Sequence, residues 1–233
     1  MDPSRCVVLV PIGGYIEPDC ARGLAELERR GYTVRSVEGY AAIDQGRSQM
    51  ATDALLDDFD GLMWIDSDIG FDADSVDLLR EHDLPVVCGI YPKKGVRALA
   101  CHVLPDTERI LFGKGGGLTE IKYAATGFLF TQRTVYETMA EHEQLPVCNK
   151  QFGRVTVPYF LPMITEDGEN HWYLGEDYAF CERARRSGFR IMADSRIRLV
   201  HVGRRGYSWE DAGSDFPRYA TYNFGLRGTD AQE

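Results

Sequence analysis

Three times within the first ninety residues a short apolar run gives way to an amphipathic stretch and then returns, and few folds accommodate that order. Residues 6–10 read as a buried strand. Asp19 is placed to cap a helix that turns Leu24 and Leu27 inward, carries Arg29 and Arg30 at its C-terminus and stops at Gly31. Residues 33–37 form the next strand, 48–59 a helix with Met50, Ala54 and Leu55 on one face, and 61–65 another buried strand. A short helix over 74–82 and a strand over 85–90 complete the series. Successive strand–helix–strand units wind in one hand onto a shared, mostly parallel sheet, so the pattern predicts an α/β fold with a Rossmann-like first half.

After Tyr91 the order changes. Residues 97–104, 109–112 and 118–123 are short β-like runs between turn residues, which predicts a small antiparallel insertion. Strand and helix return at 124–131 and 134–142. Residues 146–174 show little periodicity and several Pro and Gly, and are expected to form a long functional loop. A helix over 176–187 ends at Gly188, and strands follow at 189–193 and 197–202. The tail from Arg204 mixes Arg205, Tyr207, Trp209, Phe216, Arg218, Tyr219, Tyr222 and Phe224. With no repeat and no linker in view, the expectation is one domain over 1–233.

Charge and composition exclude several functions. The 233 residues hold 26 Lys and Arg against 36 Asp and Glu, a formal net charge of −10. Without a basic run the chain lacks the surface that neutralises phosphates, so nucleic acid is not an expected partner. No stretch approaches the roughly 18 apolar residues of a membrane span, and the first five residues lack the start of a signal peptide. A cytoplasmic protein is expected. Cys6, Cys20, Cys88, Cys101, Cys148 and Cys181 show no CxxC pair and read as free, mostly buried thiols.

The most specific motif is Met63-Trp64-Ile65-Asp66-Ser67-Asp68, an apolar strand that runs into two carboxylates one residue apart. Ligands of open α/β sheets bind outside the carboxyl ends of the strands, where such a pair of hard oxygen ligands suits Mg²⁺ or Mn²⁺. Asp also caps turns, so it is the strand-terminal position that gives the pair its meaning. Arg47, beside a helix N-terminus, is placed to touch a nucleotide or its phosphates. Glu176 and Asp177 open a helix after Gly175, where acids are favoured on electrostatic grounds alone. His201 alternates onto the face of Ile197 and Leu199, which suits either a satisfied core histidine or a ligand. Gly113-Lys114-Gly115-Gly116-Gly117 lacks the Walker order and reads as a turn, while Lys93 and Lys94 can face phosphates or simply solvent.

In order along the chain, a first strand ending in Pro11, Arg47, the strand into Asp66-Ser67-Asp68, Ala125-Thr126-Gly127-Phe128-Leu129-Phe130, Gly175-Glu176-Asp177 and the late His201 resemble the nucleotide-sugar-dependent glycosyltransferases of the GT-A fold, especially the family 2-like enzymes. The resemblance covers Val7 to Gly203, and only the DxD and the Glu-Asp pair are specific. It implies a metal-dependent transferase that moves a sugar from a nucleoside diphosphate sugar, UDP most commonly, to a small molecule, peptide or glycan. It also implies Pro11, Arg47, Asp66, Ser67 and Asp68 at the nucleotide and Gly127 at the donor sugar. Mn²⁺ or Mg²⁺ would be held by Asp68, His201 and Asp66. Asp177 would be the general base of an inverting reaction, with Glu176 orienting it or binding acceptor. On this resemblance 1–92 is the nucleotide-binding half, 93–203 the acceptor half and 204–233 a C-terminal lid.

Two other readings compete. A phosphohydrolase of the haloacid dehalogenase type also ends a strand with DxD, but wants Thr or Val where Gly70 stands and places the motif on its first strand. A nucleotide-sugar-binding module that has lost turnover would have no need of both Asp68 and Asp177.

Overall fold

The computed structural model describes residues 1–213. Along the chain come β1 (Cys6–Ile12), α1 (Pro18–Arg29), β2 (Thr33–Glu38), α2 (Ile43–Leu56), β3 (Gly61–Ile65), the two-residue β4 (Ile69–Gly70), α3 (Ala73–Glu81) and β5 (Val86–Gly89). They are followed by β6 (Cys101–Val103), β7 (Leu118–Ala124), β8 (Phe128–Gln132), α4 (Arg133–His142), β9 (Met163–Asp167), β10 (Asn170–Leu174), α5 (Glu176–Arg186), β11 (Ile191–Asp194), β12 (Val200–Val202) and β13 (Gly206–Tyr207).

Eight strands form the central sheet in the order β2-β1-β3-β8-β5-β11-β7-β6. Only β8 and β7 run against the rest. Alternation along the strands divides the core in two. Val7, Leu9, Leu62, Trp64 and Leu129 face α2, α4 and α5, while Cys6, Val8, Val10, Met63, Ile65, Phe128 and Phe130 face α1 and α3. Two apolar faces on one sheet demand helices on both, and the result is the expected Rossmann-like α/β sandwich. Trp64 is fully buried and still satisfied, because its Nε1 donates to Tyr136 Oη at 2.9 Å. All six cysteines are free; four are buried, and Cys101 and Cys148 are half-buried. No helix among the described residues is long and apolar enough to cross a membrane.

Four expectations need correction. Helix α2 begins five residues before the expected start at 48, and its polar residues Arg47, Ser48, Gln49 and Thr52 are buried. They are buried because the segment expected as a loop lies across them. Ser48 Oγ accepts from Phe160 N, Thr52 Oγ1 accepts from Val157 N, and Gln49 Nε2 donates to Val155 O, at 2.9–3.1 Å. That segment also contains the antiparallel hairpin β9–β10, turning at Gly168 with φ +62. Residues 109–112 form no strand. Residues 197–199 are not strand either, and β12 leaves the main sheet to join β4 and β13 in a three-stranded one. Of the expected lid, 204–213 contribute β13 and a 3-10 turn over Trp209–Ala212, and the remainder lies outside the described residues.

Candidate active site

The turn that carries Asp66 and Asp68 is fixed by backbone bonds to several elements. Asp66 N donates to Gly127 O at 3.0 Å, Glu17 N at the head of α1 donates to Ser67 O at 2.8 Å, and Val202 N donates to Asp68 O at 2.8 Å. The short strand β4 then pairs with β12 so that His201 lies opposite Ile69. This pairing brings a histidine from the end of the described chain to Asp68, with Nε2 3.6 Å from Oδ1. The other ring nitrogen, Nδ1, is 2.8 Å from Pro92 O.

Each DxD carboxylate meets a protein cation. Asp66 Oδ1 accepts from Arg47 Nη2 at 2.8 Å, and Arg47, only 4% exposed, lies 5.8 Å from the centroid of the Trp64 ring. Its Nε is 3.8 Å from Glu176 Oε1, and neither Nε nor Nη1 has a hydrogen-bond partner among the described residues. Asp68 Oδ2 accepts from Lys94 Nζ at 2.5 Å. Burial alone would raise the Asp68 carboxyl, but His201 and Lys94 outweigh it and hold it at about 2.

The second acidic pair behaves differently. Glu176 and Asp177 form the first turn of α5, whose N-cap Gly175 offers no side chain. Burial, reinforced by the neighbouring Glu176 carboxylate, pushes Asp177 up to about 6. Its Oδ1 accepts from Tyr178 N at 2.7 Å. Gly127 is required for packing beside this site: a Cβ there would lie 2.3 Å from Tyr91 Oη and 2.8 Å from Asp66 Oδ2. Tyr91 Oη accepts from Gly127 N at 3.0 Å in the space so provided.

These groups surround a cleft of about 600 Å³ at the carboxyl ends of β1 and β3. Of the residues the sequence pointed to, Pro11, Arg47, Asp66, Ser67, Asp68, Lys94 and Glu176 line it. His201 is tied to the cleft through Asp68, and Gly127 sits behind Asp66. Asp177 flanks the lining next to Glu176. Arg205 is engaged elsewhere, with Nη2 2.7 Å from Asp211 Oδ1. The sequence reading passed over Gly13, Gly14, Tyr15, Glu17, Ile43, Val202 and Gly203, which also line the cleft. A Gly-Gly pair directly after an apolar strand was the available signal for the first of them.

Among the described residues no three His, Cys, Asp or Glu side chains converge as a metal site. Asp68 Oδ1 and His201 Nε2 stand 3.6 Å apart, a spacing at which the pair would fit one ion with small adjustment. A site of one carboxylate and one imidazole fits a cation that also takes phosphate oxygens and water, as Mg²⁺ does, and the imidazole favours Mn²⁺. The lining gives a second reason. Glu17, Asp66, Asp68 and Glu176 oppose only Arg47 and Lys94, a formal balance of −2 that repels a diphosphate unless a cation joins it.

Fold and cleft together define the class: a Rossmann-like α/β protein with an acidic ligand cleft at the carboxyl ends of its strands. Neither known family profiles nor curated proteins match the sequence. Among solved structures it is similar to A197 from STIV, at a TM-score of 0.60 and 19% identity over 94% of this chain and 100% of that one, which supports the fold. UDP-glucose pyrophosphorylase complexed with UDP-glucose superposes at a TM-score of 0.43 and 10% identity, covering 84% of this chain and 92% of that one. S. aureus TarS in complex with UDP-GlcNAc gives 0.39 and 11%, covering 82% and 56%. These two looser superpositions support no conclusion about activity.

Proposed function

We propose that this protein is a metal-dependent glycosyltransferase that moves a sugar from a nucleoside diphosphate sugar, UDP being the first base to test, to a hydroxyl of a small molecule, peptide or glycan. The observation that supports it most is the pairing of the strand-terminal Asp68 with His201, delivered by β12, in one cleft with Arg47 and Glu176. Asp68 and His201 would hold Mn²⁺ or Mg²⁺, and the ion, when bound, offsets charge on the leaving diphosphate. Asp66 keeps Arg47 charged and aimed across the cleft. Two guanidinium nitrogens of Arg47, Nε and Nη1, have no hydrogen-bond partner among the described residues, and phosphate oxygens would satisfy them.

The reaction is inverting on this reading. The acceptor oxygen forms a bond to the anomeric carbon as the bond from that carbon to the diphosphate oxygen breaks, and the electron pair leaves with the diphosphate. Asp177 takes the acceptor proton. A carboxyl at about 6 is a stronger base than an ordinary aspartate and still mostly ionised at neutral pH. Glu176, by raising Asp177 and standing 3.8 Å from Arg47, links the base to the nucleotide side.

Calorimetry tests the reading. UDP should bind more tightly with Mn²⁺ than with EDTA, by about tenfold or more, and Asp68→Ala should abolish the difference. Equal affinities with and without the ion in the native protein would remove the metal from the mechanism.

A further inference from the structure

The cation position on Asp68 is already taken. Lys94 Nζ lies 2.5 Å from Asp68 Oδ2, on the same carboxylate whose other oxygen faces His201. The lysine stem passes close over β12's end: a Cβ added to Gly203 would lie 2.8 Å from Lys94 Cδ, so an alanine there would make the stem shift. The backbone that carries Lys94 is anchored on both sides, by Lys93 N to Ala98 O and Ala100 N to Tyr91 O, each at 2.8 Å. The carbonyl of Pro92, in the same loop, fixes the His201 ring. One short loop thus sets the ligand imidazole and supplies the charge that stands in the ion's place.

We propose that Lys94 is an exchangeable internal counterion, which a divalent cation must displace from Asp68 and which then moves to the diphosphate of the incoming nucleotide. This deepens the glycosyltransferase reading and rests on Asp68 being a cation ligand. Lys94 lines the same cleft, its side chain is 38% exposed, and rotation about its own stem is enough to move the ammonium from carboxylate to phosphate. Asp68 therefore does not stand uncompensated before substrate arrives, although the cleft as a whole keeps its acidic balance. Metal and nucleotide load together, because the diphosphate offers the displaced ammonium a new partner.

The experiment measures Mn²⁺ affinity directly, by electron paramagnetic resonance of the free ion, with and without UDP. Lys94→Met should bind Mn²⁺ alone about tenfold more tightly than the native protein, and the tightening of Mn²⁺ by UDP should shrink. Gly203→Ala keeps the lysine but pushes its stem aside, and should tighten Mn²⁺ about threefold. A gain in Lys94→Met without any gain in Gly203→Ala would mean that overall charge, not occupancy, is responsible, and would overturn the proposal. Unchanged Mn²⁺ affinity in both variants, with native binding lost in Asp68→Ala, would overturn the exchange while leaving the metal site standing. No Mn²⁺ binding in any of the proteins would overturn the metal reading itself.

Discussion

Two acidic pairs border the cleft, and their chemistry diverges although each places an aspartate at the end of a regular element. Asp68 follows strand β3, is engaged by Lys94 and His201, and is held at about 2. Asp177 opens α5, is half-buried beside Glu176, and is raised to about 6. Residue type is the same; the neighbours differ. A carboxylate held by an ammonium and an imidazole is a fixed charge suited to holding an ion, whereas one that is desolvated beside a second carboxylate exchanges a proton near working pH. The comparison is what the proposed division of roles rests on.

The largest expected effect separates chemistry from binding. Asp177→Asn keeps the shape but cannot accept a proton, so donor hydrolysis or transfer should fall about 100- to 10,000-fold with UDP affinity nearly intact. Near-native turnover in that variant would collapse the division of roles and point to Glu176. Next in size is the pH profile. The rate should rise about tenfold per unit of pH up to about 6 and then level, a limb that Asp177→Asn should lose. A limb that persists in the variant would assign the titration to another group.

The smallest effect is on stability. Because the folded carboxyl of Asp177 sits above its unfolded value near 3.8, the folded state binds the proton more tightly. Its contribution is favourable at low pH and is lost as pH rises through about 6. Asp177→Asn should therefore stabilise the protein by about 1–3 kcal/mol at pH 7.5, a gain that fades by pH 4, as urea unfolding at the two values will read. A destabilised variant at pH 7.5 would show that the buried charge is better compensated than its surroundings indicate.

Much of this was legible in the sequence, for reasons that also mark where it stopped being so. Strand β3 was placed to the residue, because Gly61 and four large apolar residues set between two aspartates leave little choice. The beginning of α2 was missed because its buried residues are polar; the fold covers them with polar backbone from 155–160, and apolar periodicity carries no trace of that. The hairpin β9–β10 did leave a trace in Asp167-Gly168, a hairpin signal flanked by β-prone residues, which the Pro and Gly around it obscured. His201 stands out in the sequence as a candidate, but its route to Asp68 runs through a two-residue strand, too short for any pattern to reveal.

That route has a consequence for biosynthesis. Asp66 and Asp68 leave the ribosome early, whereas β12, which closes their turn and brings His201 to Asp68, is among the last described elements to be made. A nascent or prematurely ended chain can thus complete strands β1 to β3 without owning a finished ion site. If the proposed site takes a divalent ion, its capture would report that synthesis has passed residue 201, and only chains that include His201 would gain the extra stability that a bound ion confers.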